Sequence, residues 1–166
     1  MIKFLSFSGY VTEISDFMVT LNGEDSGCYK LISVNNVNKG SNSFIHFVVS
    51  PTTYFVDHII VSEGDWITGY YDGNAPVPLI YPPQYQALVV VKESPYQNVK
   101  VDHFDQNLLS SDGRLKLNLS SFTQRLLTNG QPFTKNLANR NLIVLYGPVT
   151  KSIPAQTTPY KIIVLC

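Results

Sequence analysis

Phe47-Val48-Val49-Ser50-Pro51-Thr52-Thr53 lines up, 70 residues on, with Leu117-Asn118-Leu119-Ser120-Ser121-Phe122-Thr123, and the reading of the fold turns on that recurrence. In each copy an apolar strand signal runs into a turn-forming Ser/Thr stretch. A second block repeats at a spacing of 76, where Ile67, Tyr70, Pro78 and Pro83 match Ile143, Tyr146, Pro154 and Pro159. The extra six residues fit best between Asn129 and Asn139. Both halves finish on an apolar strand, Ala87 to Val91 in the first and Ile162 to Leu165 in the second. Self-similarity of this kind reads as two copies of one small β unit, residues 1–94 and 95–166, joined near Glu93 to Tyr96. Matching positions should face inward in both: Phe47, Val49, Ile67 and Val89 in one, Leu117, Leu119, Ile143 and Leu165 in the other.

Outward from that block, strand signals dominate. Gly9 to Ile14, Phe17 to Leu21 before Asn22-Gly23, Tyr29 to Val34, Phe44 to Val49 and Tyr54 to Asp57 read as short strands bounded by turn chemistry. Residues Phe122 to Leu127 form at most one or two helical turns. Tyr, Thr, Ser, Asn, Val and Ile are abundant, and charged residues make up 14% of the chain, against roughly 25% in ordinary globular proteins. The expected class is all-β. Five short strands per unit, a glycine in the first strand and the Gly64-Asp65-x-Ile67-x-Gly69-x-Tyr71 strand resemble the OB-type barrel, giving two tandem OB-like barrels or sandwiches. That architecture hosts many unrelated functions and selects none of them.

Twelve basic and twelve acidic side chains cancel, so no net field steers the molecule onto nucleic acid or anionic lipid. The charges are nevertheless segregated. Residues 1–100 carry five Lys against nine Asp or Glu, and residues 101–166 carry seven Lys or Arg against three Asp. Opposed ends favour head-to-tail association between copies. The residues after Met1 lack the apolar run of a secretory signal, and no stretch approaches the ~20 apolar residues that cross a bilayer. Cys28 and Cys166 are too few for a disulfide scaffold or a metal site. They are expected to form one bridge, between subunits rather than within one.

The most unusual segment is Asn74-Ala75-Pro76-Val77-Pro78-Leu79-Ile80-Tyr81-Pro82-Pro83-Gln84-Tyr85. Its four prolines fix φ and remove donors, so it runs as a stiff, extended loop between strands. It reads either as a rigid arm covering the end of its barrel or as a preformed contact surface; a rigid arm loses little entropy on docking, which makes Pro76, Pro78, Leu79, Ile80, Tyr81 and Tyr85 candidates for self-contact. The counterpart Ser152 to Tyr160 adds Ile153, Pro154 and Pro159. The strings NAPVPLIYPPQY and SIPAQTTPYKIIVL, with SPTTYFVD and SSDGRLKLN, resemble an uncharacterised family of Clostridia and related spore-forming bacteria. The resemblance implies an extracellular, cell-surface or spore-surface setting and carries no activity.

Catalytic signals are absent. His46, His58 and His103 have no ligand-like spacing. A Ser-His-Asp grouping can be drawn from Ser110 or Ser111 with His103 and Asp105, but no nucleophile elbow supports it. Asp112-Gly113 reads better as a turn. There is no phosphate-binding glycine loop, dinucleotide fingerprint, paired-cysteine zinc motif or EF-hand, so no metal or cofactor is expected. The chain is expected to be a non-catalytic structural protein that assembles with itself into a surface layer or filament. The alternative is an OB-like binding module for carbohydrate, peptide or single-stranded nucleic acid, with nucleic acid disfavoured because the aromatic-rich half is acidic.

Overall fold

The computed structural model describes residues 1–37 and 43–166. The protein is all-β and divides into two compact units, Met1–Glu93 and Ser94–Cys166. No helix among the described residues is long and apolar enough to cross a membrane.

The first unit contains β1 (Phe4–Asp16), β2 (Thr20–Leu21), β3 (Glu24–Asp25), β4 (Lys30–Asn36), β5 (Ser43–Val49), β6 (Tyr54–Phe55), β7 (Trp66–Asp72), β8 (Gln84–Gln86) and β9 (Val89–Lys92). Antiparallel pairing links β9, β7, β1, β4 and β5 in that order, and β8 then pairs parallel with β5. Because β8 and β9 are the two ends of one run, the sheet closes on itself. Within that run Ala87 N donates to Val48 O at 3.0 Å on one side, and Leu88 N to Tyr70 O at 2.8 Å on the other. Closure buries Val11, Ile32, Val34, Ile45, Phe47, Val49, Ile67, Ala87 and Val90 in one core.

Two features let so small a ring close. A bulge between Val11 and Glu13 bends β1 so that it serves two neighbours, β4 and β7. At the bend Gly9 meets β4 so closely that a Cβ there would lie 2.5 Å from the Asn35 carbonyl oxygen. On β7, Gly69 makes room for the Phe47 ring, whose atoms would lie 2.4 to 2.9 Å from an added Cβ. The β2–β3 hairpin turns on Asn22 and Gly23, both at positive φ, as a two-residue hairpin requires.

The second unit contains β10 (Asn98–Phe104), β11 (Leu115–Leu117), β12 (Gln124–Leu127), β13 (Arg140–Tyr146), β14 (Ala155–Thr157) and β15 (Lys161–Leu165). Here β10 pairs with β13 and β13 with β15, all antiparallel, while β11–β14 and β12–β15 are parallel. Single bridges, Phe104 to Ser110 and Leu109 to Lys116, carry the ring from β10 to β11. Gly113, at φ 72°, turns the chain between them. Residues 124–127 form a strand, not the helical turn expected of them, because parallel pairing with β15 holds them extended.

The same local device occurs in both units. Thr53 Oγ1 accepts from Ser50 N at 3.0 Å and donates to Ala87 O at 2.8 Å. Seventy residues on, Thr123 Oγ1 accepts from Ser120 N at 3.3 Å and donates to Pro159 O at 2.7 Å. Next to it, Tyr54 N donates to Leu88 O and Gln124 N to Tyr160 O. The late strands, however, correspond at spacings other than 76. Leu88 N bonds Tyr70 O and Tyr160 N bonds Leu145 O, so the counterpart of Tyr70 is Leu145 and that of Ala87 is Pro159.

A shift of one residue exchanges the two faces of a strand, and the expected inward residues change with it. Phe47, Val49, Ile67 and Leu117 lie in the cores and Leu119 packs against one. Val89, Ile143 and Leu165 do not; the core positions are Val90, Leu142, Val144, Ile162 and Val164. Val89 and Ile143 are buried on the other face of their strands.

Candidate functional site

The proline arm leaves the first unit where β1 begins and β7 ends. Phe4 pairs with Asp72, Gly73 N donates to Lys3 O at 2.7 Å, and Asn74 Nδ2 to Met1 O at 3.0 Å. The Asp72 carboxylate organises this root, accepting from Asn74 N at 2.9 Å and Lys3 N at 3.0 Å. At its far end the arm is fastened by His46 N donating to Pro83 O at 2.8 Å. Between these anchors the described residues leave its apolar side chains largely uncovered. Leu79 is 102% exposed, Tyr81 81% and Ile80 53%, and Pro76 and Pro78 are exposed as well.

Tyr85, at the arm's return, is half-buried and stacks on Tyr71 with ring centroids 4.1 Å apart and planes 17° from parallel. Burial pushes the Tyr71 phenol above the usual tyrosine range, with the Tyr85 hydroxyl reinforcing it. These rings, Gln84, Gln86, Pro76 and Pro78 line a cleft of about 210 Å³ beneath the arm. In the second unit Ile153 is 100% exposed, Pro154 is half-buried and Pro159 is buried. Pro159 therefore belongs to the interior, where its carbonyl holds Thr123, and offers no contact surface.

A second apolar feature escaped the sequence reading. After β6 the chain makes a 3-10 turn, Val56–His58, in which Asp57 and His58 both take positive φ. That reversal lays Ile59, Ile60 and Val61 beside Phe55, Ile14, Ile32 and Val49, leaving a groove of about 260 Å³. Lys30 alone brings charge to it, and Lys30 is paired with Asp16. Three consecutive apolar residues in a loop were the available signal.

Hydrogen bonds from Asn74 N and then Lys3 N hold the Asp72 carboxyl below the ordinary aspartate range. A depressed carboxyl stabilises the fold above its unfolded pKa, and that contribution disappears as pH falls through the lower folded value. Acidification below about pH 4 should therefore loosen the arm's root. The protection of the Gly73 to Ala75 amides against hydrogen exchange, taken relative to the intrinsic rate at each pH, is expected to fall there in the native chain and to stay constant in Asp72→Asn. Equal pH responses in the two proteins would refute this role.

The remaining polar candidates do not converge. Ser110 Oγ donates to Asp112 Oδ1 at 2.6 Å, Ser111 Oγ donates to His103 O at 3.1 Å, and His103 Nδ1 faces Asn141 Oδ1 at 3.0 Å. Asp105 accepts from Asn107 N and Leu109 N. Ser110, Ser111 and Asp105 are engaged in holding turns and His103 bonds across the β10–β13 pair, so none forms a Ser-His-Asp relay. His46 lies on β5, and His58 packs its ring against Tyr54. No three His, Cys, Asp or Glu side chains among the described residues are placed to hold a metal.

Cys28 and Cys166 are both free and exposed, so the chain contains no bridge between them. The Cys28 thiol lies over its own turn, 3.4 Å from Ser26 O, and Cys166 follows the last strand of the other unit. Charge follows the unit boundary closely: residues 1–93 carry four Lys and nine Asp or Glu, and residues 94–166 eight Lys or Arg and three Asp. No family model, curated protein or solved structure matches the chain.

Proposed function

We propose that the chain is a non-catalytic structural protein that assembles with itself, built from two copies of one OB-like unit and working in a surface layer or filament of a cell or spore. The observation that carries this reading is the proline arm, which keeps Leu79, Ile80 and Tyr81 in water on a segment too stiff to fold back over them. Exposed apolar side chains grouped this way mark an interaction surface. Opposed unit charges favour contacts between unlike ends of two copies. The shared Ser/Thr device and the parallel-plus-antiparallel closing strand of each unit support the duplication.

Light scattering over a concentration series, with electron microscopy of the same samples, tests the assembly. Particles larger than one chain are expected, growing with concentration. Burial of one large side chain contributes about 1.5 to 3 kcal/mol, so Tyr81→Ala should raise the concentration needed for assembly about tenfold or more. A native chain that stays monomeric throughout would end this reading.

The second reading, a carbohydrate- or peptide-binding module, is favoured by the cleft under the arm, where stacked Tyr71 and Tyr85 stand beside Gln84 and Gln86. It requires saturable binding of a glycan or peptide by the monomer, abolished in Tyr85→Ala.

A further inference from the structure

We infer that the cleft beneath the proline arm seats an uncharged, extended peptide segment of another protein, which pairs its main chain with the open edge of β8. This rests on the binding-module reading of the same cleft and names its ligand.

β8 ends its sheet, paired with β5 on one side and with no described strand on the other. The parallel register fixes where its peptide groups point. His46 N donates to Pro83 O at 2.8 Å and Ala87 N to Val48 O at 3.0 Å, so residues 83, 85 and 87 turn their main-chain groups toward β5. Gln84 and Gln86, between them, turn theirs the opposite way, and both residues line the cleft. The ring closes only after this point, where Leu88 N donates to Tyr70 O. A short length of strand edge is left without its ladder, and such edges accept an added strand.

The walls define the occupant. Across the cleft the arm forms no strand, and its Pro76 and Pro78 have no amide hydrogen to give, so the chain's own cover does not complete the ladder. Tyr71 of β7 and Tyr85 of β8 stack with ring centroids 4.1 Å apart and offer a flat surface to an apolar or aromatic side chain. Asp72 is the one charged residue lining the cleft among the described residues, and its carboxylate already accepts from Asn74 N and Lys3 N. A charged side chain would find no free partner there. The groups of Gln84 and Gln86 recur every two residues, about 6.6 to 6.8 Å at the usual rise, which is the repeat of another extended polypeptide and not of a sugar chain. A cleft of about 210 Å³ has room for a single strand. It does not admit the same edge of a second copy, whose β8 lies beneath an arm of its own.

Titrating the isotope-labelled full chain with acetylated, amidated octapeptides, in which threonine alternates with valine, leucine, phenylalanine or tyrosine, tests the pairing. Binding should shift the amide resonances of Gln84 and Gln86 and slow their hydrogen exchange at least about tenfold. N-methylating alternate residues of the peptide removes the donors of one edge. One of the two possible sets should weaken binding at least about tenfold, and the other should bind as the parent does. Gln86→Pro deletes one donor of the open edge and none of the bonds to β5, a place where an edge strand tolerates proline. It should weaken binding about tenfold while keeping the native Trp66 emission; if it misfolds, the methylated peptides decide.

Peptides that bind without protecting Gln84 and Gln86, or two methylated sets that both bind as the parent does, overturn the pairing and leave a binding module. Binding of cellohexaose or chitohexaose, lost in Tyr85→Ala, with no peptide bound does the same. If neither peptide nor oligosaccharide binds, the binding-module reading falls as well.

Discussion

Gly69→Ala should destabilise the first unit by about 3 kcal/mol, the upper end of the cost of overpacking a core. The new methyl would lie within 2.4 to 2.9 Å of three atoms of the Phe47 ring, which is itself fully buried. A loss of that size is a large part of the roughly 5 to 15 kcal/mol that holds a whole domain together. Phe47→Leu alone costs up to a few kcal/mol through the cavity it leaves. In the double variant the methyl enters that cavity, so the combined loss should fall at least about 1 kcal/mol short of the sum. Trp66, the single tryptophan, lies on β7 of this unit with its ring edge-on to Tyr10, and its fluorescence reports the transition in denaturant. Strict additivity would mean that the ring and the glycine are not coupled.

The paired threonines provide the second large effect. Thr53→Val and Thr123→Val keep the shape of the side chain and remove a hydroxyl that both accepts and donates. Each leaves a backbone amide and a carbonyl without its partner, at about 1 to 3 kcal/mol for a buried polar group. The loss should be larger at Thr123, which is buried, than at Thr53, which is half-buried and reached by water. Denaturation followed at Trp66 reads the first, and amide exchange along β12 and β15 reads the second. If both substitutions prove neutral, the hydroxyls are incidental to ring closure.

The recurring Ser/Thr turn was legible because its chemistry is local: a hydroxyl three residues after a serine accepts from that serine's amide. The late strands were harder to align. Isoleucine at 67 and at 143 look equivalent by type, yet Leu142 occupies the inward position, and faces that are apolar on both sides give no parity to choose by. The arm was visible from its prolines. Its exposure was not, since sequence alone does not say whether Leu79 points into a core or into water. The groove depends on two non-glycine residues at positive φ, Asp57 and His58, a conformation that neither residue type announces.

The closing run, Gln84 to Lys92, has a consequence for the chain as it is made. Until that run arrives, β5 and β7 are open edges with unsatisfied amides and carbonyls, and Phe47 and Ile67 have no lid. Residue 92 follows residue 72 by 20 positions, which at about 5 to 20 residues per second leaves the nascent sheet unsealed on the ribosome for about one to four seconds. The prolines of the arm are synthesised during that interval. They cannot donate a full ladder of hydrogen bonds to either waiting edge, so the segment nearest the open sheet is the one least able to zip into it wrongly.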